Sequence, residues 1–200
     1  MDKIWSYADT ARYVMAVLVL VSLVPGCVFW FTIHPFIGFW RRVGRFGATL
    51  IAAAAMIVSI AFFYLLRDTL LGQDFGTQVW LWLPAAILIA LAAAIEQARK
   101  RYLKLNILTG GPEFAGDGAA SSLLQEGIYG RMRHPRYFAY ALAILGWALF
   151  ANYLGLYVYV VVSWAFIYAL ILIEEHELLA RFGAQYEAYA RKVPRLPRLF

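Results

Sequence analysis

The chain has 200 residues, of which 63% are hydrophobic and 15% charged, a balance that excludes an ordinary soluble domain. Its 18 Lys and Arg against 12 Asp and Glu give a net charge of +6. In a chain this apolar the basic residues read first as topology signals, and no nucleic-acid partner is expected. The single cysteine, Cys27, excludes an intramolecular disulfide and any cysteine-built zinc site.

In chain order, apolar runs without Asp, Glu, Lys or Arg cover residues 13–33, 46–66, 79–95, 137–151 and 153–173. About 20 residues are needed to cross a bilayer. The runs therefore predict an all-α integral membrane protein with five transmembrane helices, the last two forming an antiparallel hairpin, and a cytoplasmic C-terminal helical tail. The first run continues through Val28-Phe29-Trp30-Phe31, past a faint lipoprotein-like Val24-Pro25-Gly26-Cys27. This predicts an uncleaved helix, kinked near Pro25 and Gly26. The fourth run is short, so it either borrows its first turn from the preceding Arg-His-Pro segment or crosses incompletely.

Basic residues set the orientation. Lys3, Arg12 and Arg67 fall on one side of the predicted bundle, and the remaining fifteen of the eighteen fall on the other. By the positive-inside rule the N-terminus is expected outside and the C-terminus in the cytoplasm. The expected location is a bacterial inner (plasma) membrane. The Gly/Ala/Ser-rich stretch 109–122 reads as a flexible loop. It divides a membrane region with a basic helical extension (1–108, the extension over 96–108) from a second half (123–200) that holds nearly all the chemistry-bearing residues.

Asn152 to Gly155 form so short a connection that the flanking helices must run antiparallel. Arg133 lies 20 residues before Tyr153 and Glu174 lies 21 after it, about 30 Å of helix in each direction. Arg131-Met132-Arg133-His134-Pro135 should therefore meet Glu174-Glu175-His176-Glu177 at the cytoplasmic membrane edge. Pro135 suits a first helical turn, whose amides can hold an anion, and Gly183 reads as the stop of the last long helix. Charged residues also mark places where helices simply leave a bilayer, and Glu177 with Arg181 has the spacing of a plain surface pair. Two arginines, two histidines and three glutamates beside Tyr129, Tyr137 and Tyr140 exceed what ending a span requires. They resemble a pocket for a polar zwitterion. His34, His134 and His176 show no metal-ligand spacing, and no metal site is expected. Tyr153, Tyr157, Tyr159, Trp164 and Tyr168 read as packing and interfacial aromatics.

Two stretches are recognisable. Gly127-Ile128-Tyr129-Gly130-Arg131-Met132-Arg133-His134-Pro135-Arg136-Tyr137 resembles the GxYxxxRHPxY element of the isoprenylcysteine carboxyl methyltransferase and phospholipid methyltransferase superfamily. Glu174-Glu175, followed by Leu178, Phe182-Gly183, Tyr186, Tyr189, Val193-Pro194-Arg195 and Pro197, is similar to that superfamily's C-terminal element. The resemblance covers 123–200. Ala139 stands where the family usually has glycine, two places after Tyr137, which puts helix packing or the cofactor groove in question. Membrane sterol reductases share a related pattern but carry Arg-Asp and a cysteine-bearing segment where this chain has Glu174-Glu175, a difference that favours S-adenosyl-L-methionine over NADPH.

The resemblance implies a membrane methyltransferase that uses S-adenosylmethionine. Tyr129, Arg133, His134, Pro135, Tyr137, Glu174 and Glu175 would form the cofactor site. Arg133 and His134, with the amides opening the helix, would take the cofactor carboxylate, either glutamate its amino group or ribose, and Tyr137 its adenine or sulfonium. Arg133, His134 and Glu175 are the expected catalytic residues, Glu175 or His134 serving as base if the acceptor is an amine. The expected partners are membrane lipids and a lipophilic substrate entering from the bilayer. The branches of the superfamily imply an isoprenylcysteine carboxylate, a phosphatidylethanolamine amine or a small thiol as acceptor. The competing readings are an NADPH-dependent reductase and a non-catalytic membrane protein; the absence of charges within the runs argues against an ion pathway.

Overall fold

A computed structural model describes residues 2–33, 39–40, 42, 44–101 and 123–197. Among these residues the protein is helical and holds no strand. Its elements are α1 (Asp2–Ile33), α2 (Arg45–Leu65), the single turn α3 (Arg67–Leu70), α4 (Val79–Lys100), a 3-10 turn (Gly127–Gly130), α5 (Pro135–Ala151), α6 (Leu154–Phe182) and α7 (Ala184–Lys192). Three described stretches are long and apolar enough to cross a membrane: Phe46–Leu65, Val79–Lys100 and Leu154–Phe182. α1 stays helical through Pro25 and Gly26. α5 has 17 residues, about 25 Å of helix. It begins at Pro135, so Arg133 and His134 stay outside it. The loop 109–122, the extension beyond Arg101 and His34 lie outside the described residues.

α4 and α5 pack closely because small residues face each other. A methyl group at Gly146 would lie 2.8 Å from Ile89 Cγ1 and 3.0 Å from the Ala85 carbonyl oxygen. Further along, Ala92, Ile95 and Ala139 form a buried cluster. The Ala139 methyl is thus spent on helix packing against α4, the usual role of small residues where membrane helices approach.

Asn152 and Tyr153 join α5 to α6. Asn152 sits at φ 59°, a left-handed position asparagine tolerates, and its side chain donates to the Gly76 carbonyl at 2.9 Å and accepts from Tyr157 at 2.8 Å. α1 is fastened to the same end. Arg12, fully buried, donates to the Ala151 carbonyl (2.9 Å), Asp9 (2.9 Å) and Thr77 (3.1 Å), pairs with Asp74, and lies over the Tyr153 ring. It is therefore not the solvated topology charge that sequence position suggests. Deeper in the bundle, Tyr159 donates to the Val19 and Leu20 carbonyls of α1, each at 3.2 Å. Leu20, Ile144, Leu156, Leu170 and Ile171 fill the core between α1, α5 and α6.

Candidate functional site

At the opposite end of α5 and α6 the charged residues converge. His134 immediately precedes α5, and its ring faces both glutamates of α6, with Nε2 3.1 Å from Glu175 Oε1 and Nδ1 3.7 Å from Glu174 Oε2. Arg133 Nη2 lies 3.2 Å from the same Glu175 oxygen, and Nη1 donates to the Tyr186 hydroxyl of α7 at 3.2 Å. The Tyr137 ring stands 5.8 Å from the His134 ring, and Pro135 is completely buried beneath them. Tyr129 belongs to the 3-10 turn, and its carbonyl accepts from Tyr189 at 2.6 Å. All the residues expected from the sequence are thus gathered at one end of the bundle.

A strap holds the cluster from outside. After α7 the chain crosses the start of α5, where Pro194 and Arg195 accept hydrogen bonds from the Arg133 and His134 amides at 2.9 and 3.1 Å. Those two amides, which precede the first turn of α5, are consequently spent on the chain itself. The Arg195 side chain returns to grip Glu175, Nη2 at 2.7 Å from Oε2 and Nε at 2.9 and 3.1 Å from the two oxygens. Tyr186, Tyr189 and Val193 pack with Leu123, Leu178 and Phe182 to seat α7 under the strap. Burial raises the phenol pKa of Tyr129, Tyr186 and Tyr189 above the ordinary tyrosine value, most strongly at Tyr189, so each remains a neutral donor.

Two hollows flank the cluster. One, of about 320 Å³, carries charged and polar side chains, Arg133, Glu175, His176, Tyr186, Glu187 and Arg195, together with Leu179 and Ala190. The other, of about 250 Å³, is apolar, lies between α5 and α6, and is bounded by Tyr137, Phe138, Leu145, Trp164, Tyr168 and Leu196 among others. The strap borders both hollows, through Arg195 in the first and Leu196 in the second, while Tyr137 lines the apolar one and stands beside His134. Within the cluster one polar atom stands out: Arg133 Nε is buried and has no hydrogen-bond partner among the described residues. Buried donors are rarely left so.

A family model of phospholipid methyltransferases matches residues 80–185, more than half of the chain, from α4 through the paired glutamates. The chain belongs to the phospholipid methyltransferase family. Similar proteins include methanethiol S-methyltransferase 2 of Bradyrhizobium diazoefficiens, 37% identical over 45% of this chain and 33% of that protein. Protein-S-isoprenylcysteine O-methyltransferase B of Arabidopsis thaliana is 38% identical over 36% of this chain and 37% of its own length. Protein-S-isoprenylcysteine O-methyltransferase of Schizosaccharomyces pombe is 37% identical over 36% and 31%. The matched segments span about a third of each relative. No solved structure gives a significant match.

Arg195 and Tyr186 join the cluster but are absent from the residues expected from the sequence. The signal was present, since both stand in the C-terminal element, but spacing alone does not show a strap doubling back. A second set, Arg99 with Glu96, was also missed: the buried Arg99 holds Glu96 through bonds of 2.7 and 2.6 Å on α4, and its charge acts on Tyr129. This set reads in sequence as an ordinary i,i+3 surface pair.

Proposed function

We propose that the chain is an integral-membrane methyltransferase that uses S-adenosylmethionine to methylate a lipophilic acceptor. The observation that carries this reading is the juxtaposition of a charged cluster with an apolar cavity, Tyr137 and the strap bordering both. A zwitterionic cofactor needs a cationic donor with capacity to spare and a carboxylate within reach of solvent. Arg133 Nε supports the first requirement and Glu174, one third exposed, the second. When bound, S-adenosylmethionine would supply a methyl group already activated by its sulfonium, so that alignment matters more than covalent help. Alignment of this kind is worth roughly 7–11 kcal/mol.

The residues' roles follow from their places. Arg133 and His134 would orient the cofactor's amino-acid end, Tyr129 and Tyr137 would flank it, and the walls of α5 and α6 would exclude water. A carboxylate or thiolate acceptor is already a nucleophile, whereas an amine would need His134 or Glu175 as base. The apolar cavity would take the acceptor from the bilayer. A dry cavity of about 150 Å³ accommodates benzene, so about 250 Å³ holds on the order of ten carbons. That suits a compact lipophilic acceptor, or one end of a longer isoprenyl or acyl chain whose remainder stays in lipid. An isoprenylcysteine-type carboxylate is the first acceptor to test, with the phosphatidylethanolamine amine and small thiols as alternatives.

In this reading α1, α2, α4, α5 and α6 are the five spans, α5 and α6 form the hairpin, and the site faces the cytoplasm of a bacterial inner membrane. The Arg12 cluster and the Arg133 cluster at opposite ends of α5 support that arrangement. The test incubates membranes holding the protein with methyl-labelled S-adenosylmethionine and identifies the labelled product by mass spectrometry. Calorimetry of the purified protein with S-adenosylhomocysteine and with NADPH accompanies it. Label in a lipophilic product supports the proposal; binding of NADPH but not of S-adenosylhomocysteine overturns it.

A further inference from the structure

The apolar hollow runs along α5 and α6. Its lining extends from Tyr137 to Leu145 on α5 and from Ile171 back to Trp164 on α6, about 12 and 10 Å of helix. One end lies at the charged cluster, where Tyr137 stands beside His134 and Leu196 follows the Arg195 that grips Glu175. The other end lies at Leu145 and Trp164, and no charged side chain lines the groove between them.

Trp164 is out of place for an interfacial aromatic. Tryptophans of membrane helices gather at headgroup level, but Trp164 comes 10 residues after Leu154 and 10 before Glu174. That is about 15 Å from either, near the centre of a hydrocarbon layer about 30 Å thick. An indole N–H at that depth needs an acceptor, and it donates to the Ala141 carbonyl of α5 at 3.3 Å. The bond carries the ring from α6 to α5, across the inner end of the groove. Trp164 is 43% exposed and lies outside the buried cluster between α1, α5 and α6, so filling that core is not its task.

Resting on the function proposed above, we infer that Trp164 is a specificity-determining residue: its indole is the floor of the acceptor groove and sets the length of apolar chain the acceptor can bury. That length is on the order of ten carbons, from the cavity volume of about 250 Å³. A chain that fits fills the groove with its head group at Tyr137, beside the charged cluster. A chain about twice as long meets the indole and must bend out into lipid, which withdraws the head group. An apolar pocket distinguishes chains that differ by one methylene by about 10–200-fold, so a fixed floor is enough to select by length. A bilayer lipid that merely filled space would need neither a closed inner end nor an outer end at the charged cluster.

The test uses the full chain in lipid nanodiscs with methyl-labelled S-adenosylmethionine and three acceptor series, N-acetyl-S-alkylcysteines, phosphatidylethanolamines and alkanethiols. In each, the chain ranges from about half to about twice ten carbons, and kcat/KM is measured beside thermal unfolding. The wild type should favour the chain of about ten carbons over the longest at least tenfold. Trp164→Ala, which removes the floor, should reverse or abolish that preference, and Trp164→Phe, which keeps most of the bulk, should retain it. Leu145→Ala, at the same end, should relax the preference in the same direction and serves if Trp164→Ala does not fold. Val161→Ala, at a position 68% exposed and outside the groove lining, should leave the profile as in the wild type. An unchanged length preference in folded Trp164→Ala or Leu145→Ala overturns the inference, as it would if the groove held only bilayer lipid; so does an equal shift in Val161→Ala. If the wild type methylates no acceptor of any series, the proposed function falls and the inference with it. If the wild type methylates one series and the variants keep its length preference, only the inference falls.

Discussion

Gly155→Ala is the most direct probe of how the turn before α6 is built. A methyl group at Gly155 would stand 1.8 Å from the Leu70 carbonyl oxygen and 2.8 Å from its carbon. To reach even the 3.0 Å that real contacts essentially never undercut, α6 and the end of α3 must part by about 1.2 Å. Both obstacles are backbone atoms, so no rotamer change absorbs the clash. The same two segments are joined by hydrogen bonds from Leu154 to Gln73 and from Phe75 to Asn152, each 3.1 Å, which the separation would stretch or break. Overpacking costs about 1–3 kcal/mol, and each lost hydrogen bond about 1 kcal/mol more, for a total of about 2–5 kcal/mol. At roughly 2–4 °C per kcal/mol for a chain of this size, the midpoint of thermal unfolding should fall by roughly 4–20 °C. Tryptophan fluorescence of the purified protein in detergent reads this directly. Glu174 is 19 residues further along α6, about 28 Å away, so affinity for S-adenosylhomocysteine below the transition should not change. A midpoint within ~2 °C of wild type would show that α6 does not seat against Leu70, and the argument from backbone contact would fail.

Two further outcomes follow from buried polar groups. Arg12→Met keeps the length of the side chain but strips its cation from Asp74, Asp9 and the Ala151 carbonyl; because the two carboxylates are 40% and 55% exposed, water takes part of the load. The loss should be about 1–3 kcal/mol, below the ~3–5 kcal/mol of a fully buried pair, and an unchanged unfolding midpoint would mean that α1 is not anchored there. The phenols of Tyr129, Tyr186 and Tyr189 are raised in the folded protein by burial, so the unfolded chain ionises first, and their contribution to stability is intact below the ordinary tyrosine pKa of about 10 and lost above it. Denaturation followed against pH should show that alkaline loss diminished in Tyr189→Phe, and an identical alkaline limb in the variant would refute the assignment.

The sequence pattern carries much of the helical layout because hydrophobic runs and turn residues are local properties. Three of the runs are long enough to cross a membrane, and the convergence of Arg133 and His134 on Glu174 and Glu175 follows from counting residues about one short turn. What escaped is non-local. Arg12 looks like a flanking charge until Asp74, Thr77 and the end of α5 are brought around it. Arg195 looks like part of a basic tail until the chain after α7 doubles back. The role of Ala139 could not be settled from spacing, since a position on α5 does not say which neighbour it faces; Ala92 and Ile95 of α4 settle it.

Charges at the end of an apolar helix need no function when they sit in water, and this is the plain alternative for the residues around Arg133. Such charges should be exposed, singly paired and interchangeable. Here the side chains of Arg133 and Glu175 are each about nine-tenths buried, His134 is almost completely so, and one carboxylate is shared among two arginines and a histidine. Burying that many charged groups exacts a desolvation cost that mutual attraction barely offsets, and well-packed apolar residues of similar volume are often more stable in such places. A helix end that only had to leave the membrane would do better with Lys or Glu in solvent. The cluster's burial, its connection through the strap and an Arg133 Nε with no hydrogen-bond partner among the described residues are features that stability does not ask for and that the proposed recognition of a charged ligand would use.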